Sequence, residues 1–111
     1  MKYMLMFCDG RDDSEFDDAL VGRYEALRME AERDGTYVTG APLRGPGSGS
    51  RVRISGGETI VIDGPSAEAT DLLSGFFVID VPSRDDAVAF AARAPAAELG
   101  VVEVRPIWEQ E

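Results

Sequence analysis

Two stretches of this 111-residue chain are apolar on both sides of a strand, and no other feature constrains its architecture as tightly. Over residues 2–8, Tyr3, Leu5 and Phe7 alternate with Met4, Met6 and Cys8. Over residues 76–81, Phe77, Ile79 and Val81 alternate with Phe76 and Val78, and only Asp80 interrupts. Residues 59–63 repeat the pattern in short form, with Ile60 and Ile62 against Val61. Successive strand side chains point to opposite faces, so a strand with one wet face alternates apolar with polar residues. A strand that is apolar on both sides is covered on both.

The rest of the pattern supplies the cover for one face. Phe16, Leu20, Tyr24, Leu27 and Ala31 recur at helical spacing, behind the N-cap candidates Asp12-Asp13-Ser14 and ahead of a stop at Asp34-Gly35. Ser83-x-x-Asp86 resembles a capping box for a second helix with an apolar face of Ala87, Phe90, Ala91 and Ala94, stopped by Pro95. Residues 36–43 read as a strand and 45–50 as a mobile Gly/Ser loop at the lip of a pocket. Residues 51–55 and 58–63 form a hairpin about Gly56-Gly57, 66–73 a turn or short helical excursion, and 101–108 the last strand.

The order β, α, β, hairpin, β, α, β predicts a single α+β domain over residues 1–111. It is a ferredoxin-like antiparallel sheet with two helices on one face and an inserted β-hairpin. Two helices cover only one face of such a sheet. Leaving the other in water costs about 25 cal/mol per Å² of apolar surface, so a second copy of the chain is expected there, as a homodimer.

Composition narrows the function. With 21 acidic and 11 basic residues the net charge is −10, which repels phosphate backbones and anionic lipid; neither nucleic acid nor membrane is an expected partner. No run reaches the ~18 apolar residues of a membrane span, and the short N-terminal apolar run lacks a signal-peptide cleavage site. A single cysteine, Cys8, excludes an internal disulfide and suits a cytoplasmic setting. Histidine is absent, which removes Ser-His-Asp and Cys-His nucleophile systems, imidazole acid–base catalysis and ordinary zinc sites. No carboxylate spacing supports a metal. The glycines at 45–49 lack the Lys-Ser/Thr of a phosphate loop, so no cofactor is expected.

Chemistry-bearing residues fall in two groups. In Asp63-Gly-Pro-Ser-Ala-Glu68, Asp63 either accepts hydrogen bonds from the turn that follows or stands, with Ser66 or Glu68, on a pocket rim; Asp63 and Glu68 are the candidate general bases. Arg53, Asp80, Glu103 and Arg105 are charged residues on apolar strands and need partners. Asp80 and Arg105 are expected to pair with each other as a structural lock. Alternatively, Arg53 or Arg105 receives a ligand carboxylate in a bidentate fork. Tyr3, Tyr24 and Trp108 read first as core or interface residues, and Cys8 as a core or edge residue.

Thr59-Ile-Val-Ile-Asp-Gly-Pro-Ser-Ala-Glu, Ser74-Gly-Phe-Phe-Val-Ile-Asp-Val, Ala91-Ala-Arg-Ala-Pro and Val102-Glu-Val-Arg-Pro-Ile, with the opening Met1-Lys-Tyr-Met-Leu-Met, resemble the YCII-related family and its DGPF branch nearly end to end. The resemblance implies a dimeric α+β barrel in a bacterial protein. Members are often encoded near extracytoplasmic-function sigma factors, and a His-Asp pair is suspected of catalysis in the wider family. Its recurrent polar positions fall here on Asp63, Glu68, Glu103 and Arg105. Ser66 replaces the motif's phenylalanine, and Glu98-Leu99-Gly100 stands where many relatives carry histidine, so the His-Asp chemistry does not transfer.

The expected function is a non-catalytic or accessory dimer that binds a small, mainly apolar ligand between sheet and helices, with Arg53, Asp63, Ser66, Asp80, Glu103 and Arg105 as binding candidates. The rivals are a cofactor-independent enzyme resembling monooxygenases or lactone isomerases, and a protein-interaction partner in sigma-factor-linked regulation.

Overall fold

In the computed structural model, residues 1–9, 17–64 and 73–109 are described. They form, in order, β1 (Lys2–Cys8), α1 (Asp18–Arg33), β2 (Tyr37–Pro42), β3 (Ser50–Ser55), β4 (Glu58–Asp63), β5 (Leu73–Asp80), α2 (Arg84–Ala91), α3 (Pro95–Leu99) and β6 (Val101–Pro106). Four strands make one antiparallel sheet in the order β2-β5-β1-β6, and β3 and β4 make a separate two-stranded sheet. The molecule is thus α+β, and its sheet is compatible with a ferredoxin-like fold.

Strand register separates the faces as the alternation requires. Tyr3, Leu5 and Phe7 stand opposite Ile79, Phe77 and Gly75 on one side and Pro106, Val104 and Val102 on the other. This face takes the helices: Leu27, Ala87, Ala91, Ala94 and Ala96 pack against it, and Leu5 and Ile79 are fully buried. Ala87 and Ala91 let the α2 backbone approach closely, and Phe90 packs beside them near Phe77. The opposite face carries Met4, Met6, Phe76 and Val78 at its centre, with Val101, Glu103 and Arg105 along β6.

The helix ends follow local chemistry. Asp17 caps α1, its Oδ1 accepting from the Leu20 N–H at 2.8 Å; the expected caps at residues 12–14, and Phe16, lie outside the described residues. At the other end the Thr36 N–H donates to the Ala31 carbonyl and the Gly35 N–H to that of Glu32, a Schellman closure. Ser83 caps α2: its hydroxyl accepts from the Asp86 N–H and donates to the Asp86 carboxylate.

Several expectations are corrected. Pro95 does stand beyond the end of α2, but it also begins α3, because a proline at the first helical position gives up an N–H that would be unpaired anyway. Residues 59–63 do not join the main sheet. Their strand pairs only with β3, across Gly56 and Gly57, both at positive φ (59° and 81°) as a tight hairpin turn requires. Asp80 and Arg105 do not pair: β1 runs between their strands, so Asp80 takes the N-terminal ammonium at 3.2 Å and the Arg105 Nε donates to Glu103 at 2.7 Å. Trp108 lies past the end of β6 and is 97% exposed in the single chain, so it is not a core residue. The excursion expected at 66–73 falls almost wholly outside the described residues, and Leu73 already belongs to β5.

Candidate functional site

A cavity of about 230 Å³ lies between α1 and the strands β2, β5 and β1. The residues buried along α1, Leu20, Leu27 and Ala31, seat the helix in the core. The adjacent positions Val21, Tyr24 and Arg28, spaced i, i+3 and i+7, hang over the gap. Beneath them two glycines let the sheet pack closely. A Cβ on Gly40 would stand 2.5 Å from the Phe76 carbonyl oxygen, 2.7 Å from Phe77 Cδ1 and 3.0 Å from Tyr37 Oη, so glycine alone fits there. A Cβ on Gly75 would meet the Ala41 carbonyl oxygen at 3.0 Å.

Four rings form the wall of the cleft. Tyr24 and Phe7 stand 5.0 Å apart, Phe7 and Phe77 5.1 Å, and Phe77 and Tyr37 5.3 Å, the last two pairs edge to face. Such contacts each contribute about 0.5–1.5 kcal/mol beyond their buried area, so the wall is held in place before any ligand arrives.

Of the polar lining groups, Glu25, Arg28 and Tyr37 act on one another. Arg28 donates from Nε (3.3 Å) and Nη2 (2.6 Å) to the two oxygens of Glu25, and from Nη1 to Glu32 at 2.5 Å. The hydrogen bond from Arg28 holds the Glu25 carboxyl below its ordinary value of 4.5, and the two carboxylates hold the Arg28 guanidinium above its own. Burial pushes the Tyr37 phenol above 10.0, against the opposing pull of Arg28, so the hydroxyl is neutral at physiological pH. The Ser74 hydroxyl is committed, donating to the Phe7 carbonyl at 3.0 Å. Among the described residues the cleft has apolar walls and a few polar lining groups, Glu25, Arg28, Tyr37 and Ser74.

The candidates picked from the sequence lie elsewhere. Asp63, at the end of β4, accepts from the Ser50 hydroxyl at 2.6 Å. Arg53 is exposed on β3 opposite Ile60. Asp80 holds the N-terminus, and Glu103 and Arg105 hold each other on the face away from the helices; Glu103 also borders a second hollow along α2, α3 and β6. None of these five lines the cleft, and Ser66 and Glu68 lie outside the described residues. The loop expected at the pocket's lip does not reach it either. Pro46–Ser48 form a single 3₁₀ turn closed by the Ser48 hydroxyl on the Gly45 carbonyl, and Gly49 accepts from the Gly64 N–H. The arginine at the cleft is Arg28. Its signal was the i, i+3, i+7 set beside the apolar stripe, together with a glycine inside a strand at 40.

The model of the YCII-related domain matches residues 1–111, the whole chain. The chain belongs to the YCII-related family. An uncharacterized protein of Rhizobium meliloti (strain 1021) is 36% identical over 95 residues, covering 84% of this YCII-related chain and 77% of that protein. Among solved structures, 5-chloro-2-hydroxyhydroquinone dehydrochlorinase from Burkholderia phenoliruptrix AC1100, in complex with 2,5-dihydroxybenzoquinone, superimposes with a TM-score of 0.52. It does so at 16% identity, over 100% of this chain and 96% of that one. At that identity the likeness is one of fold.

Proposed function

We propose that this YCII-related protein binds a small, mainly apolar molecule in the cleft between α1 and the sheet. The observation that carries the reading is the cavity of about 230 Å³ walled by the rings of Phe7, Tyr24, Tyr37 and Phe77. Unfilled space among apolar side chains costs stability, and a small apolar occupant would restore those contacts. A cavity of about 150 Å³ already admits benzene, and about 230 Å³ takes a single substituted ring. Arg28 and Tyr37 orient its polar end, in the role expected of Arg53 or Arg105.

The protein acts as a homodimer of the dimeric α+β-barrel kind. Met4, Met6, Phe76 and Val78 face away from the helices, and the β3–β4 hairpin presents Val52, Ile54, Val61 and Ile62 to solvent in the single chain. An isolated two-stranded hairpin is marginal by itself, and a second copy laid on these surfaces covers both.

A second reading, an enzyme, is favoured by the dehydrochlorinase neighbour, a protein of like fold solved with a ring compound bound. In it the cleft is the active site, with Tyr37 and Glu25 as its acid–base groups; of the bases expected from the sequence, Asp63 lies at the end of β4 away from the cleft and Glu68 lies outside the described residues.

Thermal denaturation against a panel of single-ring compounds tests the proposal. Binding to the folded state alone raises the melting temperature in a concentration-dependent way. A panel with no member that does so contradicts the binding reading, and turnover of a stabilising compound selects the enzymatic one.

A further inference from the structure

We infer that the cleft selects a neutral, ring-sized molecule carrying a carbonyl or similar acceptor oxygen, and discriminates against carboxylates of the same size; this rests on the binding reading above. An arginine at the end of an apolar cleft ordinarily signals an anion, because a guanidinium makes a bidentate fork with a carboxylate. At Arg28 that fork is already occupied. Its Nε and Nη2 are taken by Glu25 and one donor of Nη1 by Glu32, all from within α1.

Two consequences follow from counting. A guanidinium has five N–H donors, three are used, and one on each Nη remains without a partner among the described residues. The charge of the trio, one cation with two carboxylates, is −1, on a chain whose net charge is −10. A carboxylate entering the cleft finds donors but a field of its own sign, and it loses its hydration without a compensating cation. A carbonyl oxygen accepts from the same donors with no charge to desolvate. The Tyr37 hydroxyl, kept neutral by its partial burial, adds a donor on the side of Gly40. A cationic ligand gains from the field, yet the cleft offers its charge only a carboxylate already forked to Arg28.

The pairing also sets the direction of the arginine, whose side chain is 30% exposed. Its two salt-bridge partners lie one turn away on either side, Glu25 at i−3 and Glu32 at i+4, so its direction is set by the helix before a ligand arrives. Preorganised donors bind a weak acceptor that flexible ones would not hold.

The test uses three probes of one ring size, acetophenone (neutral), benzoate (anion) and benzylamine (cation), titrated into the full-length protein at neutral pH with the amide signals of Tyr37 and Gly40 followed by NMR. The expected order places acetophenone at least about tenfold tighter than benzoate. In the Glu25→Gln/Glu32→Gln variant benzoate gains about tenfold while acetophenone changes by less than about threefold. Circular dichroism confirms that the variant is folded. If benzoate or benzylamine binds the unaltered protein at Tyr37 and Gly40 as tightly as acetophenone, the class assignment is overturned and the cleft stands. If no probe moves those signals, the binding reading itself fails and the assignment with it.

Discussion

Tyr37 lies over Gly40, with its hydroxyl oxygen 3.0 Å from where a side chain on that glycine would begin. The tyrosine spreads across the space that a larger residue would fill, edge to face with Phe77. Gly40→Ala should therefore cost about 1–3 kcal/mol, because the methyl would sit against the Phe76 carbonyl, and it should abolish ring-compound binding. Gly22, on the exposed side of α1 with no atom within 4 Å of its Cβ position, is the contrast: Gly22→Ala should stabilise by about 0.5–1 kcal/mol and leave binding unchanged. Urea unfolding of the two variants beside the parent chain reads both effects.

The pH behaviour of Glu25 follows from Arg28. Its folded-state value is depressed, so its contribution to stability is present above the unfolded value of 4.5 and is lost as pH falls through the folded one. In a carboxyl-detected NMR titration Glu25 should titrate below 4.5, and Arg28→Gln should return it to the ordinary range. Tyr37 has the opposite sign: its raised value makes it stabilising below 10.0, a contribution lost as pH rises through the folded value. Alkaline titration followed by tyrosine absorbance should lose a component ionising above 10.0 in the Tyr37→Phe variant.

Leu5 and Val61 separate folding from assembly. Leu5→Ala removes a fully buried side chain between Phe77 and Val104 and should cost about 2–5 kcal/mol. Val61→Asp, on the exposed hairpin opposite Val52, should leave the fold intact. In sedimentation it should convert a particle of twice the 12.0 kDa chain mass to one of the chain mass. A parent protein that sediments as a single chain contradicts the dimer.

What the sequence disclosed and what it withheld divide along one physical line. Period-2 alternation in residues 2–8 and 76–81, helical spacing through Leu20, Leu27 and Ala31, and the Gly56-Gly57 turn are local signals, and the elements formed where they point. Neighbour relations across the sheet are not local. Asp80 and Arg105 looked like partners until β1 was placed between their strands. The cleft is not a local signal either: its walls come from β1, α1, β2 and β5, and its arginine sits one position beyond Leu27 on α1. Charged residues on apolar strands drew the eye to Arg53, Glu103 and Arg105, which the fold leaves at the surface.

The most direct test of the central claim is the position of a bound heavy atom. In crystals soaked with 4-bromoacetophenone, the anomalous signal of the bromine should lie between α1 and the sheet, enclosed by Tyr24, Tyr37 and Phe77. A bromine on the Met4–Met6 face or along the β3–β4 hairpin, with the cleft empty, would contradict the account.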